Sequence, residues 1–363
     1  MTKEEVIKAL STVQDPDLNQ DLVTLNMIKD LEISDGQIRF QVVLTTPACP
    51  LKEKIKNDCI EAVSAVAGEG WEVVPEMTSN VTAAFDNTPV LQGVKNVIAV
   101  ASGKGGVGKS TVSANLALAL ARNGAKVGLL DADIYGPSVP TMFNCEREMP
   151  EVHKQNGKDI ITPIEQYGIK LMSIGFLTGD NAVIWRGPMA TSALKQFIGD
   201  TEWGELDYLV VDLPPGTGDI HLGLVQNVPL SGAVIVTTPQ KVALADVKKG
   251  INMFLQPQIN VPVLGIVENM AYFTPEELPE NKYFIFGKDG GKEMAEKYGV
   301  PFLGEIPIVQ SIRESGDSGY PAIMKEGVTA EAFGKLAEEV ARQTAISNAK
   351  RSEAKQQSAT PNF

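Results

Sequence analysis

The sequence is poor in residues that staple, ligate or anchor. Its only cysteines are Cys49, Cys59 and Cys145, and its only histidines are His153 and His221. Three thiols leave no room for a disulfide framework, and such usage suits a reducing compartment. No Cys, Asp and Glu stand at ligand spacing around His153, so a metal centre there is not expected. No stretch approaches the roughly 18 apolar residues of a membrane span. The opening TKEEVIKAL is too charged, and too short in apolar residues, for a secretory leader. Lys/Arg-rich runs are also missing: 32 basic residues against 45 acidic ones give a net charge of −13. That balance argues against broad binding to nucleic acid or anionic membrane. The expectation is a cytoplasmic protein with neither as partner.

What is present suffices for more than one core. The chain has 363 residues, 43% of them hydrophobic, and it exceeds one average domain. Residues 1–85 read as a small α+β domain. TKEEVIKALSTV suits a short helix, and IKDLEIS–DG–QIRFQVVL suits a hairpin with its turn at Asp35-Gly36. In the second strand Ile38, Phe40, Val42 and Leu44 alternate with period two. After TTPACP a helix is expected with Ile55, Cys59, Ala62, Val63 and Val66 on one face. Residues 86–94 read as a linker, being the end of an aperiodic stretch with Asn, Pro and Gly.

From residue 95 the rhythm changes. VKNVIAVAS, AKVGLLDAD, YGIKLMSIGF, LDYLVVDLPP, SGAVIVTTP and VPVLGIVEN are apolar runs without alternation, several of them separated by helical segments. Such strands belong to a parallel sheet with helices on both faces. Residues 95–346 are therefore read as an α/β domain, and 347–363 as a disordered tail. Ligands of parallel sheets bind at the carboxyl ends of the strands, where each polar motif falls.

The first motif is GKGGVGKST, residues 103–111. It fits the phosphate-loop pattern G-x-x-x-x-G-K-[ST] between a strand and a helix. Gly103, Lys104, Gly105, Gly106, Val107, Gly108, Lys109, Ser110 and Thr111 would wrap the phosphates of ATP with backbone N–H groups. The following helix N-terminus adds favourable partial charge. Lys109 would reach the β- and γ-phosphates, and the Ser110 hydroxyl would bind Mg²⁺. Asp212, ending YLVVD, stands where a Walker B carboxylate belongs, as a further magnesium ligand. Asp131 and Asp133 end another strand and point the same way in extended chain. Asp133 is assigned to the attacking water and Asp131 to the magnesium shell, with turn or cap chemistry the alternative for one of them. The DLPPGTGD loop after Asp212 has the composition of a segment that rearranges when the γ-phosphate leaves. His221 follows it, as a sensor or a structural residue.

Lys104, directly before paired glycines, makes the loop resemble the deviant Walker A of the MinD/ParA, nitrogenase iron protein and Mrp ATPases. In that group the early lysine reaches the nucleotide of a partner subunit, which implies a homodimer. Within the group GKGGVGKST, DADIYGPSVP, WRGPM, VVDLPPGTGD and VENM resemble blocks of the Mrp/ApbC family of iron–sulfur cluster carriers. The first 85 residues resemble the SufT/PaaD small domain. The resemblance implies a P-loop ATPase that passes an iron–sulfur cluster to apo iron–sulfur proteins alongside assembly factors. It also implies adenine recognition by Asn269.

One departure stands out. Many Mrp/ApbC proteins carry C-x-x-C shortly after ENM, and here ENMAYFTPEELPENKYFIFGKDGG has no cysteine. Cys49 becomes the candidate cluster ligand, at a helix start that favours thiolate. Cys59 reads as core, and Cys145 has no assigned role. Three alternatives remain open. One is a MinD/ParA-like nucleotide-dependent switch, another an electron donor like the nitrogenase iron protein. The third is an assembly adaptor that holds no cluster.

Overall fold

The computed structural model describes the chain apart from residues 86–89, 179–186, 218–220, 222, 226, 227, 276, 279 and 360–363. Residues 86–89 of the linker read from the sequence, part of the WRGPM block and the end of the DLPPGTGD loop lie outside the described residues. The chain forms two compact units, one of residues 1–82 with 348–363, the other of 83–347.

In the first unit, helix α1 (Lys3–Leu10) starts with a reciprocal cap between Thr2 and Glu5. Two short strands, β1 (Gln14–Asp15) and β2 (Gln20–Asp21), precede the hairpin of β3 (Ile28–Ser34) and β4 (Gln37–Leu44). Its turn residues Asp35 and Gly36 have φ of 49° and 76°, the double positive φ that Asp-Gly supplies in a type I′ turn. Helix α2 (Lys52–Ala67) then crosses over to β5 (Glu72–Ser79), which pairs parallel to β4. The alternating residues of β4 are all buried against Ile55, Cys59 and Val63 of α2. Val66, expected on that face, is 52% exposed. It has the right angle but lies in the last turn of the helix.

The second unit is an eight-stranded sheet. Its strands are β6 (Val94–Ser102), β7 (Val127–Asp131), β10 (Ile164–Gln166), β11 (Ile169–Ser173), β12 (Leu206–Asp212), β13 (Gly232–Thr237), β14 (Val263–Phe273) and β15 (Phe302–Ile308), and a hairpin of β8 (Val152–Gln155) and β9 (Lys158–Ile161) stands apart. The order is β10-β11-β7-β12-β6-β13-β14-β15, with every pairing parallel except β10 with β11. The strands expected from their unbroken apolar runs are all here. Central β6, β7, β12 and β13 are buried nearly end to end, so alternation would have exposed nothing. Helices α3 (Lys109–Arg122), α4 (Val139–Met142), α5 (Gly175–Thr178), α6 (Gly187–Gly199), α7 (Lys241–Phe254), α8 (Gly290–Tyr298), α9 (Gln310–Asp317) and α10 (Val328–Ala359) accompany the sheet.

Over residues 347–359 of the expected disordered tail, α10 continues to Ala359. Its last turns are rich in Ala, Lys, Arg, Glu and Gln, which are strong helix formers as well as polar. Asn348 anchors them by donating to the Thr82 carbonyl at 3.0 Å. Composition alone does not separate a solvated helix from a disordered tail.

Candidate active site

The carboxyl ends of β6, β7 and β12 bring three motifs together. β12 pairs with β6 on one side and β7 on the other, with Asp212 level with Asp131 and Val100. Chain leaving β6 turns through the glycines and enters α3 at Lys109. Gly106 and Gly108 have φ of 79° and 80°, a conformation that costs other residues about 1–2 kcal/mol. The first turn of α3 offers backbone N–H groups without intrahelical acceptors, which makes the loop an anion cradle.

Lys109 is the cation of this site. It is 6% exposed, and its Nζ lies 2.8 Å from Asp212 Oδ2, 3.6 Å from Asp133 Oδ2 and 3.2 Å from Ser110 Oγ. The contact with Asp212 is a close ion pair, but Nζ approaches off the hydrogen-bonding direction, so Oδ2 is a buried oxygen without a hydrogen-bond donor. The other oxygen, Oδ1, accepts from Ser113 Oγ at 2.6 Å. Asp212 Oδ2 and the Ser110 hydroxyl both lie within 3.2 Å of the Lys109 ammonium, and a carboxylate oxygen and a hydroxyl converging on one cation are a donor pair that fits Mg²⁺. Burial raises the Asp133 carboxyl above its ordinary range, while nearby Lys109 pulls it back.

Asp131, expected in the magnesium shell, sits in a dense set of hydrogen bonds. It is fully buried, with Oδ1 accepting from the Asp133 N–H and Oδ2 from Ser138 N–H, Val139 N–H and Ser173 Oγ at 3.0–3.2 Å. Both oxygens are engaged in shaping the DADIYGPS turn, starting α4 and tying the turn to β11. These are the contacts that the cap-and-turn alternative calls for. Burial first, and the Asp212 carboxylate second, push the Asp131 carboxyl up to about 7.

Asn269, expected at adenine, touches the phosphate loop. It is 6% exposed and its Nδ2 donates to the Val107 carbonyl at 2.8 Å, bracing the phosphate loop. A Cβ on Gly108 would overlap that same amide nitrogen. Gly108→Ala therefore adds left-handed strain and displaces Asn269. Nucleotide affinity should fall roughly tenfold or more, since 1–2 kcal/mol of strain is a factor of about 5–30. Calorimetric titration with ATP reads the change, and unaltered affinity would mean that the loop adapts at no cost.

The DLPPG segment is stitched to β6 by Leu213 N–H donating to Val100 O and Gly216 N–H to Ser102 O, each at 3.0 Å. Ser102 Oγ in turn donates to Lys104 O at 2.9 Å, so loop and phosphate cradle share a backbone network. His221 is buried, and its ring Nε2 donates to the Pro214 carbonyl at 2.7 Å. Burial lowers its pKa, so it serves as a neutral brace for the segment. Lys104 is half-buried and pairs with no carboxylate among the described residues. Gly103 touches the backbone of Asp246 in α7 so closely that no Cβ fits.

The thiols divide clearly. Cys59 and Cys145 are buried, at 0% and 2% exposure, and burial pushes both thiols up to about 12. Cys49 is half-buried in the turn before α2, where its carbonyl accepts from Lys52 N–H. No group of three or more His, Cys, Asp or Glu side chains among the described residues is arranged to hold a metal ion. No helix among them is long and apolar enough to cross a membrane.

Comparison with known proteins adds the context. Residues 93–341 match the model of the NUBPL iron-transfer P-loop NTPases, and residues 3–74 match that of an iron–sulfur cluster assembly protein family. An iron–sulfur cluster carrier protein from Synechocystis is 49% identical over 346 residues, covering 94% of this chain and 97% of the relative. One from Deinococcus radiodurans is 47% identical, covering 94% and 96%. Among solved structures, a nucleotide-binding protein from Archaeoglobus fulgidus in complex with ADP is 43% identical. It superposes with a TM-score of 0.56 over 63% of this chain and 88% of that one.

Proposed function

The chain belongs to the NUBPL iron-transfer P-loop NTPase family, and from that premise we propose an ATP-hydrolysing, magnesium-dependent carrier that passes iron–sulfur clusters to apoproteins. One observation carries this reading. A single chain joins an iron-transfer NTPase region to an iron–sulfur assembly region.

In the phosphate site, the glycine loop and the first turn of α3 bind the phosphates, and Lys109 moves its charge from the carboxylates to the β- and γ-phosphates. Asp212 Oδ2 and the Ser110 hydroxyl would hold Mg²⁺, which would supply charge neutralisation at the phosphates. Asp133, its carboxyl destabilised as an anion by burial, orients the attacking water, and Asp131 fixes the turn that carries Asp133. Asn269 braces the loop through the Val107 carbonyl. Lys104 acts on the nucleotide of a second copy, so the working form is a homodimer in the cytoplasm. The boundaries read from the sequence suit this division, with residues 1–85 handling cargo or clients and 95–346 handling ATP.

The cluster is the cargo, and thiolates are its usual ligands. With Cys59 and Cys145 buried and hard to ionise, Cys49 is the thiol best placed to ligate it. Anaerobic reconstitution with iron and sulfide, followed by iron assay and absorption spectra, tests this. The parent protein should bind iron and sulfide and pass them to an apo-ferredoxin, and Cys49→Ala should lose most of the bound iron. A cluster kept by Cys49→Ala would move the site elsewhere. No cluster in the parent would leave an adaptor that recruits clients without holding cargo.

A further inference from the structure

Ser113 carries no motif signal in the sequence, yet it touches the centre of the site. It lies four residues after Lys109, one turn into α3, and is fully buried. Its hydroxyl stands 2.6 Å from Asp212 Oδ1 and 3.0 Å from its own Lys109 carbonyl. A serine has one proton to donate. The shorter contact, to an ionised acceptor, is the stronger, and the carbonyl is the ordinary back-bonding partner of a helical serine. The proton thus has two acceptors on the two halves of the site, the Walker B strand and the phosphate-loop helix.

We propose that Ser113 is a positioning residue that fixes the rotation of the Asp212 carboxylate, so that Asp212 presents Oδ2 alone to Lys109 and Mg²⁺. The argument rests on the phosphate-site reading above. Asp212 ends β12, where the charged side chains that meet it among the described residues are Lys109, 2.8 Å from Oδ2, and the nearby carboxylates of Asp131 and Asp133. Neither of those anions steers Oδ1 favourably. Without the Ser113 proton the carboxylate would turn both oxygens toward the one cation, Lys109. That arrangement holds the lysine back from phosphate and spoils the orientation of the metal ligand. Groups that orient metal ligands in this way change metal affinity by about 10- to 100-fold.

Three variants separate positioning from packing. Ser113→Ala removes the hydroxyl. Ser113→Cys keeps the size and offers only a weak donor. Ser113→Thr keeps the hydroxyl. Mn²⁺ binding in the presence of ADP, followed by electron paramagnetic resonance, gives a readout independent of turnover. The magnesium concentration for half-maximal ATP hydrolysis gives a second. Ser113→Ala and Ser113→Cys should each weaken Mn²⁺ by roughly tenfold and raise the magnesium requirement by a similar factor, with ADP affinity measured without metal little changed. Ser113→Thr should stay near the parent. If Ser113→Ala is too unstable to assay, Ser113→Cys carries the test. Unchanged metal affinity in the Cys variant, or equal weakening in Thr and Cys, overturns the proposal and leaves Ser113 a packing residue. The phosphate-site reading falls on a different result, undiminished hydrolysis when Lys109 is removed.

Discussion

A Lys104→Ala protein is expected to bind ATP about as tightly as the parent and to hydrolyse it about a thousandfold more slowly. The first half follows from the separation of the two lysines. Lys109 stands inside its own site within 2.8–3.6 Å of two carboxylates, whereas Lys104 is half-buried and meets no carboxylate among the described residues. Its own subunit therefore loses little on truncation. The second half follows from charge developing on the transferred phosphoryl group, which a cation delivered by a partner stabilises at the transition state and hardly at all in the ground state.

Mixing provides the decisive arm. Asp133→Asn keeps Lys104 but lacks the water-orienting carboxylate, so each single variant is inactive alone. A mixed dimer holds one site with an intact Asp133, served by the Lys104 of the other subunit. Activity should then reappear on mixing, up to about half of the mixed dimers' parental capacity since one site in two is complete. No recovery, with dimer exchange verified, would place Lys104 in its own subunit's site or outside the chemistry. A fall in ATP affinity equal to the fall in rate would give it ordinary ground-state binding.

The fold was legible wherever one local rule sufficed. Unalternated apolar runs are buried on both sides in β6, β7, β12 and β13, because a covered parallel sheet asks for nothing else. The phosphate loop was legible for the same reason: its glycines answer to backbone geometry within nine residues. What escaped were tasks set by partners distant in sequence. Asn269 braces the Val107 carbonyl across 162 positions and Ser113 donates to Asp212 across 99, and no spacing encodes either. Asp131 and Asp133 look alike in the sequence. They part because four donors converge on Asp131, two of them backbone N–H groups at the start of α4, a helix too short to announce itself. The tail escaped because helix formers and disorder formers overlap in composition.

Lys109→Ala should remove ATP hydrolysis and also weaken the fold, and the two losses can be told apart. Three carboxylates, Asp131, Asp133 and Asp212, share this one buried cation. Breaking a buried pair by deleting one partner costs about 3–5 kcal/mol. The sign of the pH dependence follows from the raised carboxyls. Asp131 titrates near 7 and Asp133 above its usual range, while Lys109 holds both lower than burial alone would. A carboxyl whose folded pKa is raised costs stability as pH climbs past its unfolded value near 4, and the cost is complete above the folded value. Deleting Lys109 raises both further. The deficit against the parent should therefore be small near pH 4–5 and largest at about pH 8, as read from urea midpoints in EDTA.

Lys109→Arg keeps the charge but replaces a compact ammonium with a planar fork. It should recover most of the stability at about pH 8 and little of the hydrolysis, because a charge near Asp212 is enough for the first and reach to the phosphates is needed for the second. Parental hydrolysis in Lys109→Ala would remove the phosphate site from this loop. An equal stability deficit at both pH values would mean that the three carboxylates do not depend on one cation. With the deficit growing toward alkaline pH and Lys109→Arg folded but inactive, a single lysine would be seen to hold the carboxylates together and to drive the reaction.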